Sequence, residues 1–246
     1  MGMGILYSTE TPRHNATQMA ADEHELPAWR RRTEGENIAA VCIAIIVAIG
    51  LTLALPNRIA EPRWLLPGLA ILLLVVLLLS LRGMTLDEPH RTLRTLGIIL
   101  IGLLSLANGL SAARLIVDIL RSEGLAHPDN PADLLLVGGA IWLTNVILFS
   151  VWYWGADRGG AVQRMLGTHE RPDFLFPQMQ LEDAWAKEWE PQYVDYLYFA
   201  FTNATAFSPT DVMPLARWAK LEMMAQSAIS IMLVVLVVAR AVNILK

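Results

Sequence analysis

The chain has 246 residues, of which 54% are hydrophobic and only 17% are charged, with a net charge of −4 and a mean hydropathy of +0.43. A soluble domain of this size carries about a quarter charged residues, so the composition excludes an ordinary soluble protein and predicts a membrane protein whose main partner is the lipid bilayer. A nucleic-acid partner is not expected, because the sequence has no basic cluster with interleaved aromatic residues. The single cysteine, Cys42, excludes a disulfide within the chain.

The polar residues 1–36 are predicted to form an N-terminal tail. No apolar stretch of signal-peptide type precedes the first apolar run, so we expect that run to be retained as a membrane helix. Residues 37–154 hold four apolar stretches and a fifth closes the chain, each near or above the roughly 20 residues that cross the bilayer. The predicted fold is an all-α membrane protein of about five transmembrane helices. Their predicted bounds are 37–55, 64–81, 95–120, 132–154 and 215–245.

Residues 155–190 are predicted to form an extramembrane loop, which includes a surface-lying amphipathic helix at its acidic, tryptophan-rich end. The stretch 193–207 that follows is apolar and aromatic but too short to span a bilayer. The run Ser208-Pro209-Thr210-Asp211 then breaks the helix. This order predicts a re-entrant half-helix before the last transmembrane helix, because irregular backbone at membrane depth must be covered by protein or face a water-filled cavity. A short helix lying flat at the interface is the alternative.

Residues 191–246 resemble the pore helix, filter and inner helix of potassium-type pore-loop channels. The resemblance rests on DYLYFAFT at 195–202, DVMPLAR at 211–217 and VARAV at 238–242. The same pattern is similar to that of a group of bacterial polytopic membrane proteins. The channel resemblance implies a homo-oligomer, a tetramer if channel-like, that passes small inorganic cations.

The filter departs from the channel pattern. Channels have Thr-Val-Gly-Tyr-Gly-Asp, whose glycines let successive carbonyls face the ion, whereas this chain has no glycine in 205–211. Potassium selectivity is therefore not carried over, and polar side chains are expected to line the constriction instead. The filter-like residues are Thr202, Asn203, Thr205, Phe207, Ser208, Thr210 and Asp211. For Asp211 and Thr210 the alternative role is capping of the last helix.

Polar residues in the last helix fall on one face. Gln226, Ser227 and Ser230 share that face with Met223 by spacings of three and four. Under the channel resemblance this face lines the inner pore. Under the alternative, these side chains hydrogen-bond to neighbouring helices.

No catalytic, metal-binding or nucleotide-binding motif occurs in the sequence, so we expect no enzyme activity, no metal site and no cofactor. The five histidines lie outside the apolar stretches and lack ligand spacing. Of the 19 Lys and Arg residues, 13 fall on the side that would hold the N-terminal tail, residues 82–94 and residues 155–220. The positive-inside rule places that side in the cytoplasm of a bacterial cell, whereas the channel resemblance places the filter outside.

These observations predict an oligomeric, cation-preferring pore-loop channel in the bacterial cytoplasmic membrane. The alternative is a non-conducting membrane scaffold or accessory subunit that retains the pore-loop fold.

Overall fold

The computed structural model describes residues 26–31, 38–56, 59, 64–82, 91–121, 131–167, 171–205 and 211–244. In these ranges the chain is mostly helical, and each of the five apolar stretches forms a helix. Short 3-10 turns lie at Ala28–Arg30, Asp157–Gly159 and Pro177–Gln180. The other elements are α1 (Ala39–Ala54), α2 (Leu65–Arg82), α3 (Arg91–Arg121), α4 (Pro131–Ala156), α5 (Ala161–Met165), β1 (Phe174–Leu175), α6 (Ala184–Lys187), α7 (Tyr193–Thr205), β2 (Met213–Pro214) and α8 (Arg217–Ile244).

Three helices are long and apolar enough to cross a membrane. The qualifying segments are Thr95–Arg121 in α3, Pro131–Gly159 around α4, and Arg217–Ile244, which is α8. The 27 residues of the first segment extend about 40 Å at 1.5 Å per residue, more than the roughly 30 Å of hydrocarbon. The apolar helices Ala39–Ala54 and Leu65–Leu79 are shorter. The mostly helical fold with long apolar helices is confirmed, whereas five membrane crossings remain a prediction.

Helix α4 is the centre of the packing. In its most apolar window 67% of the residues are buried, against 33% in α3 and 22% in α8. The helix contacts α1, α3, α7 and α8, so it has protein on most sides. A helix surrounded in this way needs no polar face, which explains why its apolar residues are spread around its circumference.

Helices α4 and α8 pack antiparallel and in close contact. Asn145 of α4 hydrogen-bonds to Ser230, whereas the earlier residue Gly138 lies against the later residue Val237. A Cβ atom added to Gly138 would stand 2.9 Å from both methyl carbons of Val237. The absence of a side chain at position 138 is therefore what lets the two helices approach.

The short helix α7 packs antiparallel along α4. At its first residue, the Tyr193 hydroxyl is 2.7 Å from the Ser150 hydroxyl and the Tyr193 ring meets Trp154. Near its last turn, the Phe201 ring lies edge-on to Trp142, 5.6 Å away between centroids. Helix α7 thus begins beside the end of α4 and ends beside the middle of α4. Its buried residues recur at helical spacings of three and four, as an amphipathic helix requires.

The segments outside the long helices form a compact cap at the end of α4. Strand β1 pairs antiparallel with β2, with Phe174 opposite Pro214. The N-terminal segment 26–31 also lies here, because Arg31 forms an ion pair with Glu188 at 3.1 Å. The amphipathic helix predicted in this region is only the single turn α6, which begins after the capping residue Asp183.

Several predicted features lie outside the described residues. These are most of the N-terminal tail, the five histidines, and the filter-like residues Phe207, Ser208 and Thr210. Asp211 is described and exposed. It does not cap α8, because β2 lies between them and the carbonyl of Ala216 accepts the first helical hydrogen bond, from the Lys220 amide.

We expect Gly138→Ala to lower the thermal unfolding midpoint of the detergent-purified protein by several degrees. The added methyl group meets both methyl groups of Val237, and a valine in a helix has one strongly preferred rotamer, so it cannot rotate away. Gly139→Ala is the matched control, because its Cβ would meet nothing within 4 Å, and alanine favours a helix over glycine by about 1 kcal/mol. Adding Val237→Ala should restore the midpoint of Gly138→Ala. Equal midpoints for the two alanine variants would contradict this packing.

Candidate functional site

A buried network of amides and hydroxyls joins α4, α7 and α8. The side-chain oxygen of Gln226 in α8 accepts hydrogen bonds from the Tyr153 hydroxyl of α4 and from the Asn203 amide of α7, both at 2.7 Å. The Gln226 amide nitrogen donates to the Ala200 carbonyl of α7 at 2.9 Å. Gln226 and Tyr153 are fully buried and Asn203 is nearly so. One side chain therefore fastens the short helix to both long helices.

Further bonds extend this network along α8. The Asn203 amide also donates to the Met223 carbonyl at 3.1 Å. The Ser227 hydroxyl donates to the Asn203 carbonyl at 3.0 Å. About one turn further along α8, the Asn145 amide of α4 donates to the Ser230 hydroxyl at 3.0 Å. We call Asn145, Tyr153, Asn203, Gln226, Ser227 and Ser230 the amide network.

Aromatic rings enclose the amide network at its outer end. The Tyr153 ring lies 4.9 Å from Phe199 and 5.2 Å from Phe174, between centroids. The Phe174 ring in turn lies edge-on to Trp218 at the start of α8. These rings exclude water, so the hydrogen bonds behind them act in a medium of low dielectric constant, where an unpaired polar group is costly.

A second polar cluster lies where α4 ends. Asp157 is fully buried, and its carboxylate accepts from the Tyr196 hydroxyl at 2.7 Å and from the Asp173 amide at 3.0 Å. The Phe174 amide and the Arg158 guanidinium complete its contacts, both at 3.3 Å. Four donors thus compensate the cost of burying this charge. Because Tyr196 belongs to α7, the cluster fixes the outer half of the short helix.

Arg158 adopts the left-handed conformation, with φ of 50°, which is uncommon for a residue other than glycine. Its amide donates to the Asp173 carboxylate at 2.8 Å, and its guanidinium donates to the Trp29 carbonyl. The other carboxylate oxygen of Asp173 accepts from the Trp218 indole at 3.3 Å. These contacts hold the strained residue and connect the N-terminal segment to the beginning of α8.

Arg164 is the third buried charge of this region. Its guanidinium donates to the Trp154 carbonyl at 2.6 Å and to the Asp157 carbonyl at 2.8 Å, so it provides donors to carbonyls at the end of α4 and in the 3-10 turn that follows. It also stacks on the rings of Trp154 and Tyr196. We call Asp157, Arg158, Arg164, Asp173 and Tyr196 the Asp157 cluster.

Two groups at the start of α7 have shifted pKa values. Burial raises the pKa of the Tyr193 phenol to about 12, and its hydrogen bond with Ser150 partly opposes the shift. Burial also raises the pKa of the Asp195 carboxyl, while hydrogen bonding to the Gln192 amide opposes that effect. Both shifts show that the first turn of α7 is partly withdrawn from water.

The predicted site residues occupy different environments. Asn203 belongs to the amide network, whereas Thr202 and Thr205 donate back to carbonyls of α7 itself. Gln226 and Ser230 were predicted to line an inner pore, but within this chain they are fully buried against other helices. Their side chains make the hydrogen bonds that the alternative interpretation expected. Ser227 is partly exposed.

Sequence reasoning missed the residues that organise both clusters. An aromatic residue such as Tyr153 near the end of an apolar stretch is typical of an interfacial anchor, but the Tyr153 hydroxyl points into the amide network. Asp157 and Arg158 directly follow that stretch, where a solvated turn is usual, although both are buried. An acid followed by a base directly after an apolar helix was the available signal, since charges at that depth need partners. Among the described residues, no three His, Cys, Asp or Glu side chains gather to hold a metal ion.

Comparison of the chain with family models, curated proteins and solved structures finds no match. The class of the protein therefore follows from the fold. It is a mostly helical protein with three helices that could cross a membrane, and its short helix α7 is fastened between two of them.

We expect Gln226→Leu to lower the free energy of unfolding by about 1–3 kcal/mol, the usual cost of leaving buried polar groups without a partner. The substitution removes the acceptor of Tyr153 and Asn203 and the donor to Ala200. Chemical unfolding in mixed micelles measures the change. Met224→Leu, on the exposed side of the same helix, is the control and should change little. An unchanged stability for Gln226→Leu would mean that the amide network does not hold α7 in place.

Tyr196→Phe and Tyr198→Phe form a matched pair on α7. Tyr196 is fully buried and its hydroxyl donates to Asp157, whereas Tyr198 is 55% exposed. Removing the Tyr196 hydroxyl should destabilise the protein by about 1–3 kcal/mol, because a buried carboxylate loses a donor. Removing that of Tyr198 should have almost no effect. Thermal unfolding monitored by tryptophan fluorescence compares the two, and equal midpoints would refute the role of Asp157.

Proposed function

We propose that the chain is a pore-loop membrane protein that assembles as a homo-oligomer, tetrameric if channel-like, and passes small cations. Helix α7 would be the re-entrant pore helix and α8 the inner helix. The observation that carries this proposal is the hydrogen bonding of the last turns of α7 to α4 and α8 through Asn203 and Gln226. A helix end placed at membrane depth needs such protein partners, since lipid offers none.

The dimensions of α7 support the re-entrant arrangement. Its 13 residues extend about 20 Å, less than the hydrocarbon thickness. Its contacts run from Trp154 at the end of α4 to Trp142 near the middle of α4. In this proposal α1 and α2 are the other two membrane crossings, which makes five in all.

The proposed cation path lies outside the amide network. Gln226 and Ser230 are committed to partners within the chain, so they would position α8 rather than face the ion. Thr202, Thr205 and Asp211 would contribute to the constriction, together with Phe207, Ser208 and Thr210. The C-terminal end of α7 carries the negative end of the helix dipole, and the Asp211 carboxylate adds negative charge, so cations are favoured over anions.

The outward side of α8 is the proposed subunit contact. Only 22% of its most apolar window is buried, and Met224, Ile231 and Val235 on this side are at least half exposed. Partner subunits around a central axis would cover these side chains.

The proposed location is the bacterial cytoplasmic membrane. The contacts between residues 26–31 and residues 158 and 188 support placing the N-terminus and the cap on one side.

A non-conducting scaffold or accessory subunit is the second candidate. It is favoured by the hydrogen bonds of Gln226 and Ser230 to side chains of α4 and α7, which hold these polar groups between helices and not along a central path. The absence of filter glycines from residues 205–211 points the same way. Neither candidate is an enzyme.

Ion flux through the purified protein in liposomes tests the proposal. Under potassium, sodium and chloride gradients we expect cation flux above that of empty liposomes. Asp211→Asn should reduce it several-fold at low ionic strength, where screening is weak. Glu182→Gln is the control, because Glu182 is an exposed carboxylate in the cap, and it should leave the flux unchanged. Protein that is folded and inserted but gives no flux would favour the scaffold.

A further inference from the structure

Glu222 is an acidic side chain in the second turn of α8, one of the helices that could cross a membrane. It precedes Gln226 by four residues, so the two side chains lie on the same face of the helix. The residue is half-buried, and its Oε2 atom is enclosed by protein and has no hydrogen-bond partner among the described residues. A carboxylate in such a helix is costly unless its charge is compensated.

The neighbouring donors are already in use. The Tyr153 hydroxyl donates to the side-chain oxygen of Gln226. The Asn203 amide donates to Gln226 and to the Met223 carbonyl. Because a phenol has one hydrogen and an amide has two, neither group has a further hydrogen for Glu222. The hydrogens of these two groups are therefore committed, and the enclosed Oε2 atom of Glu222 is left without a donor among the described residues.

The C-terminal end of α7 lies beside the same turn of α8. The Asn203 amide contacts the Met223 carbonyl, directly after Glu222, and Ser227 contacts the Asn203 carbonyl. The last carbonyls of a helix carry the negative end of its dipole. A carboxylate and a helix C-terminus thus stand together, and both attract positive charge. The only basic residues in the first two turns of α8, Arg217 and Lys220, are exposed.

We propose that Glu222 binds an alkali-metal cation beside the C-terminal end of α7. Carboxylate and carbonyl oxygens suit hard cations. A divalent ion would need more acidic ligands, whereas no three acidic, His or Cys side chains gather among residues 26–31, 38–56, 59, 64–82, 91–121, 131–167, 171–205 and 211–244. One carboxylate balances one positive charge, which matches potassium, sodium or rubidium. This inference rests on the proposed function, because it names a cation-binding site at the C-terminal end of the proposed pore helix α7, beside the proposed cation path.

Thermal unfolding of the detergent-purified full chain tests this assignment without any flux measurement. Midpoints are recorded in potassium, sodium and rubidium chloride, and in choline chloride at equal ionic strength. A ligand that binds only the folded protein raises the midpoint in a saturable manner. We expect a rise of a few degrees in at least one alkali salt for the wild type and none for Glu222→Gln. In choline, Glu222→Gln should unfold at a higher temperature than the wild type, since it lacks the uncompensated charge.

Two variants complete the design. Glu182→Gln removes an exposed carboxylate and should keep the full alkali-dependent rise. Glu222→Asp keeps the charge on a shorter side chain, so it should keep a rise that saturates at higher salt. A rise that persists in Glu222→Gln, or no rise in the wild type in any alkali salt, would overturn the assignment.

A proton is the competing ligand, and its outcome is distinct. Among the described residues, Tyr153 of α4 is a titratable side chain on the face of α8 that Glu222 shares with Gln226, and the basic residues of the same two turns of α8, Arg217 and Lys220, are exposed. Three results together would show that Glu222 carries a proton and that the cation assignment is wrong. The wild-type midpoint in choline would depend on pH, the Glu222→Gln variant would lack that dependence, and alkali salts would have no effect on the midpoint. Cation binding without flux would keep the Glu222 site and reject the channel. Cation flux without stabilisation that depends on Glu222 would keep the channel and reject the Glu222 site.

Discussion

Polar groups that lie among long apolar helices must find partners within the protein, and the arrangement of this chain follows from that requirement. The last turn of the short helix α7 carries backbone carbonyls and the Asn203 amide, and Asn203 is buried between α4 and α8. Gln226 of α8 is their hydrogen-bond partner, because it accepts from Asn203 and Tyr153 and donates to the Ala200 carbonyl. Gln226 thus joins α7 to both α4 and α8.

The Asp157 cluster meets the same requirement at the other end of α7. Tyr196 binds the buried Asp157 carboxylate, and Arg164 caps carbonyls at the end of α4. Through Arg158 and Asp173 the cluster also reaches the N-terminal segment and the start of α8. Helix α7 is thus held at both ends, as a pore helix or a structural strut would need to be. A pore helix would face a cation path on the side where Thr202 and Thr205 are partly exposed. A purely structural helix would not.

Much of the fold could be predicted, because the length of an apolar stretch is a local property of the sequence. The five apolar stretches became helices whose ends lie within a few residues of the predicted ones, and the spacing of Gln226 and Ser230 placed them on one face correctly. The environment of that face was less predictable. A spacing of four residues shows which side chains point together, but it does not show which neighbouring helix they meet. The role of Asp211 was similarly ambiguous, because its separation from α8 becomes clear only once strand β2, paired with β1, is seen to lie between them.

The sequence by itself determined that the chain forms apolar helices, some of them long enough to cross a membrane, and that a short aromatic helix precedes the last one. These follow from hydropathy and from helix-breaking residues, which act over a few turns of chain. Only the tertiary structure decided that Tyr153, Asn203 and Gln226 share one hydrogen-bond network, that Asp157 is buried among four donors, and that Glu222 has no donor among the described residues. The hydrogen bonds of Gln226 to Asn203 and Tyr153 join residues that lie 23 and 73 positions apart. They depend on how the helices pack, which no local pattern encodes.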